Sequence, residues 1–142
     1  MEKDLDFLNY MYKNAQMGII GIDNVIGKVK GKQLKKLLEK QRVQYEDICN
    51  QATELLKKED GTVEGINTMA RVSTTFMVNM EMAKEPNDSC IAKMMIEGTN
   101  KGIIEINEKL NNIPNIPKKI VDLAKRLLKT EQNNLEELKK YL

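Results

Sequence analysis

The sequence predicts an all-α fold: four core helices in two antiparallel hairpins, joined by a long helical crossover. Three observations carry this. Apolar residues recur at spacings of three and four along the chain, and no stretch alternates at period two with β-branched enrichment. Helix-starting and helix-stopping residues divide the chain into five segments. Finally, one unit occurs twice. Gly18-Ile19-Ile20-Gly21-Ile22-Asp23 returns 84 residues later as Gly102-Ile103-Ile104-Glu105-Ile106-Asn107. About twenty residues beyond each copy, Leu37-Leu38 with Gln41 and Gln44 is matched by Leu127-Leu128 with Glu131 and Asn134.

The first segment, near Glu2 to Lys28, places Leu8, Met11, Ala15, Gly18, Ile22, Val25 and Val29 on one face, as a bundle seam requires. Gly31 marks a short turn. The second, Lys32 to Lys58, carries Leu34, Leu37, Gln41, Gln44, Ile48, Ala52 and Leu55, and Gly61 is expected to close it in the left-handed conformation. Thr62 can cap a third helix to Lys84, with Ile66, Met69, Ser73, Phe76, Met80 and Ala83 on one side. After the break at Glu85-Pro86-Asn87, Asp88 or Ser89 can cap a fourth helix with Ala92, Met95, Thr99, Gly102 and Ile106 inward. Pro114 and Pro117 end it, and Pro117 suits the first turn of a fifth, with Ile120, Leu123, Leu127, Glu131, Asn134 and Leu138 inward.

The repeat sets the topology. Residues 1–60 and 88–142 are two short-looped hairpins, and residues 61–87 are a crossover long enough to return the chain to the far end of the bundle. The 142 residues form one domain related by an approximate dyad.

Composition narrows function by exclusion. With 41% apolar and 31% charged residues the chain is ordinary globular material. It has no run of 18 apolar residues, so no membrane partner is expected. Its start, Met1-Glu2-Lys3-Asp4, is not a secretory signal, and Cys49 and Cys90 have neither disulfide-framework nor metal-ligand spacing; both features predict a reducing cytoplasm. Two basic clusters stand out, Lys28 to Arg42 and Lys118 to Lys129, but no aromatic residues interleave to stack on bases, so nucleic acid is not the expected partner. Gly27 to Lys32 is a Lys-rich turn without the spacing of a phosphate loop. The chain has no histidine, which leaves neither cysteine an imidazole base.

The informative positions are polar ones inside apolar stripes. Gln41 and Gln44 on the second helix and Glu131 and Asn134 on the fifth face inward at mid-height, opposite Ala15 and Thr99 on the first and fourth. Amides both donate and accept, so Gln41, Gln44 and Asn134 are expected to satisfy Glu131 and one another in a hydrogen-bond cluster that Tyr45 could join.

With these residues placed, the chain resembles the ferritin-like superfamily, in particular its small bacterial members built as hairpin, crossover and hairpin. In metal-binding members one Glu comes from each of two helices and a Glu-x-x-His pair from each of the others. Carried over, the resemblance puts Ala15 and Thr99 where single glutamates would stand, Gln41 where a Glu would be, and Gln44 and Asn134 where histidines would be. Only Glu131 keeps its type. A shift of one turn would bring in Glu97, with Lys13 opposite it. Neutral amides cannot compensate the four charges of two divalent metals, so the resemblance implies a lost metal site, no cofactor and no catalytic residue. The expected function is a non-catalytic, structural or interaction role. The alternative is a degenerate metal-binding protein in iron or oxidative-stress handling, and a third reading is a small apolar ligand held between the helices. On the third helix Arg71, Asn79 and Glu81 share the outer face with Val72, Val78 and Met82, which points to a homodimer through the crossover. The methionines there, Met69, Met77, Met80 and Met82, read as core first and interface second.

Overall fold

The computed structural model describes residues 2–59, 61 and 87–142. These form four helices: α1, Glu2–Val25; α2, Lys32–Lys58; α3, Asp88–Asn112; and α4, Lys118–Leu138. Short 3-10 turns, Ile26–Lys28 and Lys139–Tyr141, follow α1 and α4. Among the described residues there is no strand, and no helix is long and apolar enough to cross a membrane. The expected third helix, its Met-rich face and the dimer surface at Val72, Val78 and Met82 lie outside the described residues.

Each hairpin is closely packed, α1 on α2 and α3 on α4, and the hairpins meet along two further edges, α1 on α3 and α2 on α4. The cross-helix contacts fix direction. Gly18 meets the Tyr45 ring while Asp23 pairs with Arg42, so α1 and α2 are antiparallel. Tyr10 bonds Glu105 and Asn14 reaches the Gly102 carbonyl, so α1 and α3 are antiparallel too. It follows that α2 and α3 run parallel, and the chain between them must join opposite ends of the bundle. At one end Gly61 lies against Leu5, near the start of α1. At the other, Asp88 accepts from the backbone N–H groups of Lys30 at 2.9 Å and Gly31 at 2.8 Å. The 27 residues of α2 measure about 40 Å at 1.5 Å per residue, the order of the distance that residues 62–86 bridge.

Most of the stripes read from the sequence are core, whereas Gly18, Val29 and Leu55 are half-buried. Leu8, Met11, Ala15, Ile22 and Val25 of α1, Leu34, Leu37, Ile48 and Ala52 of α2, and Ile120, Leu123, Leu127 and Leu138 of α4 are all buried, with Leu38 and Leu56 as the further buried leucines of α2. Their burial is the principal stabilising term, at about 25 cal/mol per Å² of apolar surface removed from water. Four local expectations are corrected. The α-helical part of α1 stops at Val25, ahead of Lys28. Gly61 does not take a positive φ; its N–H bonds the Leu56 carbonyl at 2.7 Å, and the missing Cβ leaves room for Leu5. Asn87, rather than Asp88 or Ser89, caps α3 by accepting from the Cys90 N–H at 2.8 Å, because Asp88 is engaged by the α1–α2 turn. Pro117 caps α4 from outside, and the preceding turn places Asn115 at φ 56°, a left-handed position that Asn tolerates.

Candidate functional site

The two glycines of the repeat decide what enters the bundle interior. At Gly18 a Cβ would lie 2.7 Å from the Tyr45 ring, so the ring occupies the space a side chain would fill. At Gly102 the same position would lie 2.6 Å from Glu131 Oε2 and 3.0 Å from Asn14 Nδ2. Glu131 of α4 and Asn14 of α1 therefore converge on the bare backbone of α3, where Asn14 also approaches the Gly102 carbonyl at 3.5 Å. One turn along α3, Glu105 accepts a hydrogen bond from the Tyr10 hydroxyl, and the Lys109 ammonium sits 4.4 Å from the centre of the Tyr10 ring.

These groups set the electrostatics. Glu131 is 2% exposed, and burial first, then the Glu105 carboxylate, pushes its carboxyl up to about 8. At neutral pH it is mostly a neutral acid. Burial raises the Tyr10 phenol above its ordinary range, with the hydrogen bond to Glu105 adding to the effect. Tyr45, one level along the bundle, is raised first by burial and then by the Glu131 charge, while Asn134 and Thr99 beside it act the other way.

Buried as expected are Ala15, Gln41, Thr99, Glu131 and Asn134; Gln44 is half-buried. The expected hydrogen-bond cluster is incomplete: Asn134 and Thr99 hydrogen-bond Tyr45, but Gln41 and Glu131 Oε1 do not join them. Neither atom of the Gln41 amide has a hydrogen-bond partner, and Gln44 Oε1, Glu131 Oε1 and Asn134 Nδ2 have none either. The Thr99 hydroxyl turns back to the Met95 carbonyl at 2.7 Å. The physical reason is height along the bundle. Glu131 is level with Gly102 and Asn14, Asn134 with Tyr45 and Thr99, and Gln41 lies a turn beyond Tyr45. The polar residues are stacked in layers rather than gathered at one point. Glu97 is exposed, which removes it as a substitute carboxylate; Glu105 is the second carboxylate near Glu131. Sequence reasoning missed Tyr10, Asn14 and Glu105. The signal for Glu105 was present, since it is the residue that replaces Gly21 when the repeat recurs.

The donor set does not fit a pair of divalent metals. Ala15 offers no ligand, Thr99 is turned to its own helix, and Gln41 and Asn134 are neutral, which leaves Glu131 as the one carboxyl of the set. Among the described residues no three of Asp, Glu or Cys gather in a metal-binding arrangement. Nucleophilic chemistry is no better served. Burial first and the Glu46 charge second push the Cys49 thiol up to about 11, so it stays protonated at neutral pH. Cys49 borders an open groove of about 340 Å³ between α1 and α2, where the Arg42 guanidinium is already engaged by Asp23 at 2.7 and 3.1 Å and by Glu46. Comparisons of the chain with protein-family models, curated proteins and solved structures return no match, so its assignment rests on its own residues.

Proposed function

We propose that this chain is a non-catalytic bundle of the ferritin-like type that has lost its metal site and serves a structural or interaction role, assembling as a homodimer. The observation that carries the reading is the donor set around Glu131. It is the one acidic residue left among the six family-equivalent positions, and it is buried on a glycine backbone. One carboxyl among neutral amides, a hydroxyl turned to its own helix and a methyl group cannot compensate the charge of a di-metal centre. The dimer part of the reading rests on the apolar residues Val72, Val78 and Met82 of the linking segment.

The second reading, a degenerate metal-binding protein in iron or oxidative-stress handling, is favoured by one observation, the approach of Glu105 to Glu131. One experiment separates the two: elemental analysis of protein purified without chelator, with a ferrous titration alongside. The first reading expects no stoichiometric iron or manganese. About two ions per chain, lost on Glu131→Gln, would establish the second, since two-metal sites need carboxylate ligands. For the dimer, sedimentation at tens of micromolar is expected to give twice the chain mass, and Val72→Glu with Met82→Glu a folded monomer.

A further inference from the structure

Two lysine-rich stretches far apart in sequence meet at one end of the bundle. Six exposed lysines, Lys28, Lys30, Lys32, Lys35, Lys36 and Lys40, occupy the α1–α2 turn and the opening turns of α2. Because α2 and α4 are antiparallel, as Tyr45 beside Asn134 and Asp47 paired with Arg126 require, α4 ends where α2 begins. Its terminal 3-10 turn packs on α3 and α4 and adds the exposed Lys139 and Lys140 to the same end. Residues 28–40, 88 and 136–140 thus hold eight lysines against the four carboxylates of Glu39, Asp88, Glu136 and Glu137. Asp88 is turned to backbone N–H groups, and Glu136 is paired with Lys139 at 2.8 Å. That surplus of four exceeds the chain's whole net charge of +2, so the remainder of the molecule is net negative. The second basic cluster of the sequence does not join it. Lys118 and Lys119 open α4 at the opposite end, where the first turn of α1 and the last of α2 bring Lys3, Lys57 and Lys58 as well as Asp4, Asp6 and Glu59.

The basic end also opposes local helix physics. The first turn of α2 carries no acidic residue, its Gly31 cap gives no side-chain hydrogen bond, and Lys32 and Lys35 stand at the positive end of the helix dipole. Inside the fold one carboxylate, Asp88, lies on the N–H groups at this helix start, and the rest of the lysine charge faces solvent.

We propose that this end is an adsorption surface for an anionic lipid bilayer. The charges are lysines, hydrated point charges on flexible stems that any laterally mobile anionic headgroup can satisfy. The nearby Arg42, which could offer a planar fork to a fixed phosphate or carboxylate, is already held by Asp23 and Glu46. Among the described residues Tyr141 is the aromatic one at this end, and it is half-buried against the core, so none of them offers an exposed ring on which bases could stack. Attraction of such lysines to an anionic leaflet adds residue by residue and needs no shaped groove. The sequence expectation of no membrane partner is thereby narrowed: no described helix crosses a bilayer, but the tertiary fold presents a polybasic end to its surface.

The test is flotation of the full chain with phosphatidylcholine vesicles containing about 30% phosphatidylserine at about 0.1 M salt. Binding is expected to vanish on vesicles without phosphatidylserine and at about 0.5 M salt. Lys32→Glu with Lys36→Glu is expected to lower the bound fraction roughly tenfold. The control, Lys118→Glu with Lys119→Glu, changes net charge equally at the other end and is expected to stay within about twofold. Circular dichroism confirms that both variants fold. No binding by the unaltered chain, or equal loss in both variants, overturns the proposal. So does displacement from the vesicles by duplex DNA at equal phosphate concentration, which would assign the surface to nucleic acid.

Discussion

The two hairpins use the same glycine for opposite purposes. In the first, Gly18 makes room for an aromatic ring, and Tyr45 seals the interior with apolar surface. In the second, Gly102 makes room for a carboxyl group, and Glu131 brings a titratable proton with it. The backbone solution is shared, a helix without a Cβ where its hairpin partner must approach closely, but what fills the gap differs in stiffness and in charge. A buried ring edge cannot move aside without disturbing its neighbours, whereas a carboxyl group ends a flexible side chain. The first hairpin should therefore respond to changes of shape and the second to changes of pH.

The largest expected effect is the pH dependence of the second hairpin. Glu131 has its folded-state value raised to about 8 against 4.5 for the free group. Below about 4.5 both states hold the proton and ionisation adds no penalty to burial. Between 4.5 and 8 the unfolded chain releases the proton while the folded chain keeps it, so stability falls as pH rises, by roughly 1 kcal/mol per pH unit. Urea denaturation across that window should give a declining curve for the native chain and a flatter one for Glu131→Gln. The two curves should meet at the acid end. Parallel curves would mean that Glu131 ionises freely in the folded state.

Gly18→Ala comes next. The new methyl meets the Tyr45 ring at 2.7 to 3.0 Å, and overpacking of this kind costs about 1–3 kcal/mol, against about 1 kcal/mol gained by replacing glycine within a helix. A lowered melting temperature is expected, partly restored by Tyr45→Leu. The matching change, Gly102→Ala, meets the end of Glu131 and should cost less, within about 1 kcal/mol of neutral, because the helix gain offsets a displaced carboxyl. If both alanines cost the same, the contrast between the hairpins fails. An effect of similar small size belongs to the link between them. Asp88→Ala removes two acceptor contacts to the α1–α2 turn and should cost about 1 kcal/mol, read by chemical denaturation, with the slope of the transition unchanged.

The sequence by itself determined the four described helices and most of the face that each buries. Periodicity at three and four residues is a direct consequence of 3.6 residues per turn, so the stripe from Leu8 to Val25, and its counterparts, could be read without coordinates. It also exposed the repeat, and hence the burial of Gln41, Thr99, Glu131 and Asn134. What it could not supply was height. Helical periodicity assigns a residue to a face but does not say which residues of four different helices share a layer, because that depends on how far each helix slides along its neighbours. The tertiary structure made that choice. It separated Gln41 from Glu131, gave Glu131 the company of Asn14 and Glu105, and brought Lys140 to the same end as Lys28 while sending Lys118 to the other. Close approach at Gly102 and the antiparallel pairing of α2 with α4 are packing outcomes, and a one-turn slide of about 5.4 Å in either would have assembled a different set of neighbours from the same stripes.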